Sequence, residues 1–176
     1  MRQVGQLCSR VISAKKVLVL GLCVLLQACG TDDSEADEIA ASPPPVSIQE
    51  RVNQTNLARS VGRFCGDNWF PAVGPVEWNE LLEVAALRHS QDMHSNDFFA
   101  HDGSDGSSVG IRATDAGYPW AVVGENLSKF AVTFEDAMEG WIESPLHCEA
   151  LMRPEFDELG TVRVGVYWTM VLGVQF

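Results

Sequence analysis

The sequence predicts an α+β fold, an α-β-α sandwich around a mainly antiparallel sheet. Three observations predict it. Apolar residues recur at helical spacing in two stretches after residue 46. Thr133-Phe134-Glu135-Asp136 fits the capping box that opens a helix. The chain closes on two stretches of period-two alternation, the pattern of half-buried strands. Helices gathered around such a sheet bury its faces as layers, and 176 residues suit a single core with appendages.

Residues 1–28 read as an export leader: a basic stretch to Lys16, an apolar run from Val17 to Leu26, then Gln27-Ala28-Cys29. Ten helical residues span about 15 Å, half of a hydrocarbon core of about 30 Å, so the run is too short for a lasting membrane span. Leu26-Gln27-Ala28-Cys29 resembles the bacterial lipobox, in which the cysteine is acylated and becomes the new N-terminus. The alternative is an ordinary secretory signal cut after Ala28. Several acyl chains on Cys29 would anchor the chain stably. Gly30 is not the aspartate that resembles an inner-membrane retention signal, which points to the outer membrane where a cell has two.

Removing the leader takes away four of the 12 Lys and Arg and none of the 24 Asp and Glu, leaving a net charge of −16. Such a surface repels phosphate backbones, which excludes nucleic acid as a partner, and does not dock on anionic lipid by charge. Cation binding is compatible with it. Residues 29–46, acidic and then proline-rich through Pro43-Pro44-Pro45, read as a tether. Once Cys8 and Cys23 leave and Cys29 is acylated, Cys65 and Cys148 remain. Two thiols in an oxidising compartment point to one disulfide, worth up to about 4.5 kcal/mol on the chain-entropy account. Two separate buried thiols are the alternative.

The folded domain is expected over residues 47–176. Ile48, Val52, Leu57 and Val61 form a loose helical stripe, and Phe64 to Trp78 reads as a connector pinned at Cys65. Asn79 can cap a helix whose face carries Leu82, Ala85, Ala86, His89 and Met93, ending near Asn96. Gly103 to Ser108 is a loop, Val109 to Ala116 a short helix ended by Gly117, and Tyr118 to Phe130 contains strand. The capping box opens a helix to Glu143, and Pro145 breaks or restarts it. Val162, Val164 and Val166 then share one face of a strand that returns through Trp168 to Phe176 as an antiparallel hairpin.

Four motifs in order carry a family resemblance. Ala86-Leu87-Arg88-His89-Ser90-Gln91-Asp92-Met93 leads to Phe98-Phe99-Ala100-His101; then come Gly124-Glu125-Asn126-Leu127, Trp141-Ile142-Glu143-Ser144-Pro145-Leu146-His147, and Pro154-Glu155-Phe156-Asp157-Glu158-Leu159-Gly160 with Tyr167-Trp168. Together they resemble the CAP superfamily of cysteine-rich secretory proteins, antigen 5 and pathogenesis-related 1 proteins, in its bacterial form. The resemblance implies a shallow cleft bearing His101, Glu125 and His147, a divalent cation (zinc, magnesium or calcium) held by His101 and His147, and in some relatives lipid or sterol binding or proteolysis. The second glutamate of the family's tetrad falls at Ser144, with Glu143 one position off as its stand-in. Leu146 stands where the family has glycine, and Ala150 and Arg153 where it has asparagine. These departures predict an altered turn beneath His147 and thinner polar support around it.

Two imidazoles and a carboxylate can hold zinc with water in the fourth place, and a second carboxylate can then serve as base. No His-Glu-x-x-His or Gly-x-Ser-x-Gly motif accompanies them. Ser144, before a proline, reads as a helix cap rather than a nucleophile. His89 reads as a packed core histidine and His94 as a solvated one. Asp102 to Gly106 reads as a turn, since Ala113 stands where a calcium loop needs its closing glutamate. The five tryptophans read as core. The expectation is a binding module in the cell envelope taking a lipid, peptide or cell-wall ligand. A metal-dependent hydrolase of envelope material is the alternative, and a structural component with a vestigial cleft the third reading.

Overall fold

A computed structural model describes residues 46–176. The leader over 1–28, Cys29 and the tether as far as residue 45 lie outside the described residues. Helix α1 spans Ile48–Arg59, strands β1 Arg63–Cys65, β2 Asn68–Phe70 and β3 Glu77–Trp78, and helix α2 Glu80–Asn96. Helix α3 (Val109–Asp115), strand β4 (Trp120–Lys129), helices α4 (Phe134–Glu143) and α5 (Pro145–Leu151), and strands β5 (Glu158–Val164) and β6 (Tyr167–Gln175) complete the order.

The main sheet runs β3-β5-β6-β4, antiparallel except for β3 beside β5. Both of its faces are covered, which makes the expected α-β-α sandwich. Strand β6 shows why: Trp168, Met170 and Leu172 pack into one core with Ala58 of α1, Ala137 and Trp141 of α4 and Leu151 of α5. Val171 points the other way, onto Leu82 and Ala86 of α2 and Ala113 of α3. Period two thus feeds two layers at once. Gly160 lets α2 lie directly on β5, because a Cβ there would sit 2.1 Å from the Glu83 backbone nitrogen. These cores, the sheet and the Cys65–Cys148 disulfide all fall within residues 46–176, so the segment carries what a domain needs to fold alone.

The helix starts follow their caps. The Asn79 side chain accepts from the Leu81 and Leu82 amides, and Thr133 and Asp136 close the predicted capping box. Ser144 is the N-cap of α5 by backbone position only; its side chain makes no capping bond.

Four expectations change. In α1 the apolar stripe is not the buried face: Leu57 and Val61 are 71% and 57% exposed, and Thr55, Ala58 and Arg59 face inward instead. Polar groups can take that face because they are satisfied there, Thr55 Oγ1 donating to the Arg51 carbonyl at 2.9 Å. The expected connector over Phe64 to Trp78 contains a hairpin, β1 paired with β2. The closing hairpin turns at Gly165-Val166, so Val166 leaves the strand face, and β5 begins at Glu158. Of the tryptophans, Trp141 and Trp168 are core, but Trp69 is 58% exposed.

Candidate functional site

The site forms where edge strand β4 brings both layers together. Successive residues of a strand face opposite ways, and Gly124-Glu125-Asn126 uses this. Gly124 clears room for Phe156, whose ring would lie 2.9 Å from a Cβ. Glu125 turns toward α2 and α3, while Asn126 turns to the other layer and donates from Nδ2 to the His147 carbonyl of α5 at 3.0 Å.

The carboxylate of Glu125, 2% exposed, is held from two sides. Arg112 on α3, itself 1% exposed, donates from Nη2 to Oε2 at 2.7 Å. His101, in the turn after α2, donates from Nδ1 to Oε1 at 2.9 Å. Because a carboxylate only accepts, the His101 proton sits on Nδ1, leaving Nε2 free for a ligand. Arg112 also donates to the His101 and Ser107 carbonyls, fixing the turn that carries the imidazole. Beneath them His89, fully buried, donates from Nε2 to the Ala100 carbonyl at 2.9 Å and lies 3.9 Å from Glu125.

The three histidines titrate differently. The hydrogen bond to Glu125 raises the His101 pKa against the opposing effect of burial. Burial lowers that of His89, and burial with the nearby His101 charge lowers that of His147. Both effects on His147 favour its neutral imidazole, whose unprotonated nitrogen can accept or ligate.

Of the residues named from the sequence, His101 and Glu125 are joined directly, and His147 is tied to the same strand through the bond from Asn126 to its backbone carbonyl. Glu143 is exposed at the end of α4 and lines a separate groove toward α1. His89 is packed in the interior, as expected, yet it touches the site; His94 is exposed. The Gly103 to Ser107 segment is a turn, with the Gly103 amide donating to the Ser107 carbonyl at 2.9 Å. Leu146 lies in the first turn of α5 with its side chain 77% exposed and no positive φ, so no glycine is required beneath His147. Arg112 was missed by the sequence reading. Its only signal is an arginine on the short helix preceding the Gly-Glu-Asn strand.

Among the described residues, no group of three or more His, Cys, Asp or Glu side chains is arranged to hold a metal ion. Both Glu125 oxygens are engaged, so the remaining donors are two imidazoles. Two imidazoles supply at most half of a tetrahedral zinc shell, which water or ligand groups would have to complete, and they do not suit magnesium or calcium, which take six or more mostly oxygen ligands. Among the described residues no helix is long and apolar enough to cross a membrane.

The model of the cysteine-rich secretory protein family, CAP, matches residues 72–169, over half of the chain. The uncharacterized protein YkwD of Bacillus subtilis is 25% identical over 149 residues, covering 79% of this chain and 58% of that protein. The uncharacterized membrane protein YlbC of the same organism is 30% identical over 94 residues, covering 53% of this chain and 27% of that protein. The chain therefore spans little more than half of the one relative and about a quarter of the other. Among solved structures, an extracellular SCP-domain protein of Bacillus anthracis superposes with a TM-score of 0.64 at 24% identity, over 72% of this chain and 40% of that one. An outer surface protein of Borrelia burgdorferi gives 0.55 at 19% identity, over 59% of this chain and 80% of that one. These two likenesses bear on the fold alone.

Proposed function

This chain belongs to the cysteine-rich secretory protein (CAP) family, and from that membership we propose that it is an exported, envelope-tethered binding module whose ligand meets the His101–His147 edge. One observation carries the reading: both oxygens of Glu125 are spent inside the protein, on Arg112 and His101. The carboxylate orients an imidazole rather than standing free as a base or third metal ligand. A histidine so held, one nitrogen on a carboxylate and the other open, is the usual form of a zinc-binding or hydrogen-bonding imidazole. Zinc at His101 and His147, with water or a ligand group completing it, would serve recognition of a lipid, peptide or cell-wall group.

Export and attachment rest on the leader and on Cys29 as an acylated residue, with the outer membrane as the site where there are two. The descriptions of the Bacillus anthracis and Borrelia burgdorferi proteins as extracellular and outer-surface agree with this.

A hydrolase reading draws on the different surroundings of the two imidazoles: His101 is bonded to Glu125, which raises its pKa, while burial lowers that of His147, as in an acid and base pair. It requires cleavage of envelope extract by the domain, abolished by a chelator or by His147→Ala.

Calorimetric titration of zinc into residues 46–176, beside a folded His101→Ala/His147→Ala variant, separates the outcomes. Binding of about one zinc, lost in the variant and unaccompanied by cleavage, is expected. Equal or absent binding in both proteins rules out zinc at this edge.

A further inference from the structure

A second groove lies away from the histidines. It runs between α1 and α4 with a volume of about 830 Å³, within the range of ligand sites. Its apolar lining includes Leu57, Val61, Met138 and Ile142. The sequence would place Leu57 and Val61 inside; the structure leaves both largely exposed here. Glu50, Glu135, Glu139 and Glu143 also line the groove, against a single basic residue, Arg63. Among the described residues none of these four carboxylates takes part in an ion pair.

Three of the four form one ridge. Glu135, Glu139 and Glu143 recur at every fourth residue of α4, so they stand one above another on the same face. Like charges at this spacing destabilise a helix, and two turns of it here carry no compensating cation. The ridge is about 12 Å long at the helical rise. A second helix laid alongside presents its own side chains at the same repeat.

We propose that this groove binds a cationic amphipathic helix, its apolar face against Leu57, Val61, Met138 and Ile142 and its Lys or Arg residues against the glutamate ridge. Apolar anchors at helical spacing in a hydrophobic groove are a recurrent mode of peptide recognition, and the charge complementarity sets the sign of the partner. The acidic ridge excludes an anionic membrane surface from the same place. Glu143 thus serves this groove and not the histidine edge.

The test is fluorescence anisotropy with residues 46–176 and a labelled Leu/Lys peptide of about five helical turns, its leucines on one face. A scrambled peptide of equal composition is the comparison. Saturable binding is expected for the amphipathic peptide only, weakening with salt. Glu135→Lys/Glu139→Lys/Glu143→Lys is expected to weaken it about tenfold or more, and Leu57→Asp, on an exposed side chain, to do so without reversing the ridge. Reversing the same number of charges at Asp67, Glu77 and Glu155 leaves it unchanged. Three results would overturn the proposal: equal binding of the scrambled peptide, equal weakening by the distant reversals, or saturable uptake of palmitate with no saturable uptake of the peptide.

Discussion

Two arginines are buried in this domain, and they are held in opposite ways. Arg59, at the end of α1, is fully buried with no carboxylate in salt-bridge range among the described residues. It donates instead to the carbonyls of Gly74, Leu151, Arg153 and Phe156, at 2.7 to 3.1 Å. Arg112 has the Glu125 carboxylate at 2.7 Å and two carbonyls. Dipoles from two places on the chain, Gly74 and the segment 151–156, hold Arg59, so it ties the loop after α5 and the one before β3 to α1. A formal counter-charge holds Arg112, so it fixes the one carboxylate that orients His101. The first arrangement is tertiary glue; the second is a site.

The largest effect is expected at Arg59. Arg59→Met keeps much of the volume but leaves four carbonyls without their donor, at about 1–3 kcal/mol for each buried orphan. Such losses do not add fully, and about 4 kcal/mol or more should vanish from the denaturant unfolding free energy. A loss under about 1 kcal/mol would show that water replaces the guanidinium and that the network is not glue.

Glu125→Gln comes next. The amide keeps the shape but leaves Arg112 buried without a counter-charge, at about 3 kcal/mol. Replacing both partners with apolar side chains, Glu125→Leu/Arg112→Met, should recover a large part of that stability while abolishing zinc binding, because the Coulombic debt disappears with the charge. Arg59 has no such partner whose removal could rescue it. A double variant no more stable than the single would make the two arginines alike and end the distinction.

The two arginines also mark what the sequence could reveal. Strands β4, β5 and β6, the α2 face and the α4 capping box were legible because each rests on local periodicity or on a cap within four residues, whereas β3, two residues long, reads as connector. His101, Glu125 and His147 were legible only through motif order, as nothing local brings an α2 turn, an edge strand and α5 together. Both arginines were invisible: their partners lie 13 residues or more along the chain, apart from Ser107 and His101 for Arg112, and burial of a charge has no sequence signature. The α1 stripe misled for the same reason. Residue type assigned Leu57 inward, whereas hydrogen bonding let Thr55 and Arg59 occupy the core. Leu146 shows the converse, a departure from the family pattern that the helical backbone absorbs without cost.

The smallest effect separates the two regions by pH. Arg59 faces carbonyls, which do not titrate, whereas Arg112 and Glu125 adjoin His89, also within reach of Asp92. Burial depresses the His89 pKa in the folded state, so the unfolded chain binds more protons below the ordinary histidine value of about 6.5, and stability is lost as pH falls through that region. His147 acts in the same direction. His101, raised by its bond to Glu125, acts oppositely: its contribution is present at low pH and is lost as pH rises through its folded value. Its side chain is 59% exposed, which screens that share, so the fully buried His89 should dominate. The depressed carboxylates Asp92, Asp105, Asp136, Glu155 and Glu158 titrate below their ordinary values and contribute only at lower pH. Unfolding free energy measured from pH 7 to pH 5 should therefore decline less steeply in His89→Phe than in the parent protein, since only the parent must keep a buried imidazole neutral. An identical slope in both would place the pH sensitivity away from the Glu125 cluster and remove His89 from the site.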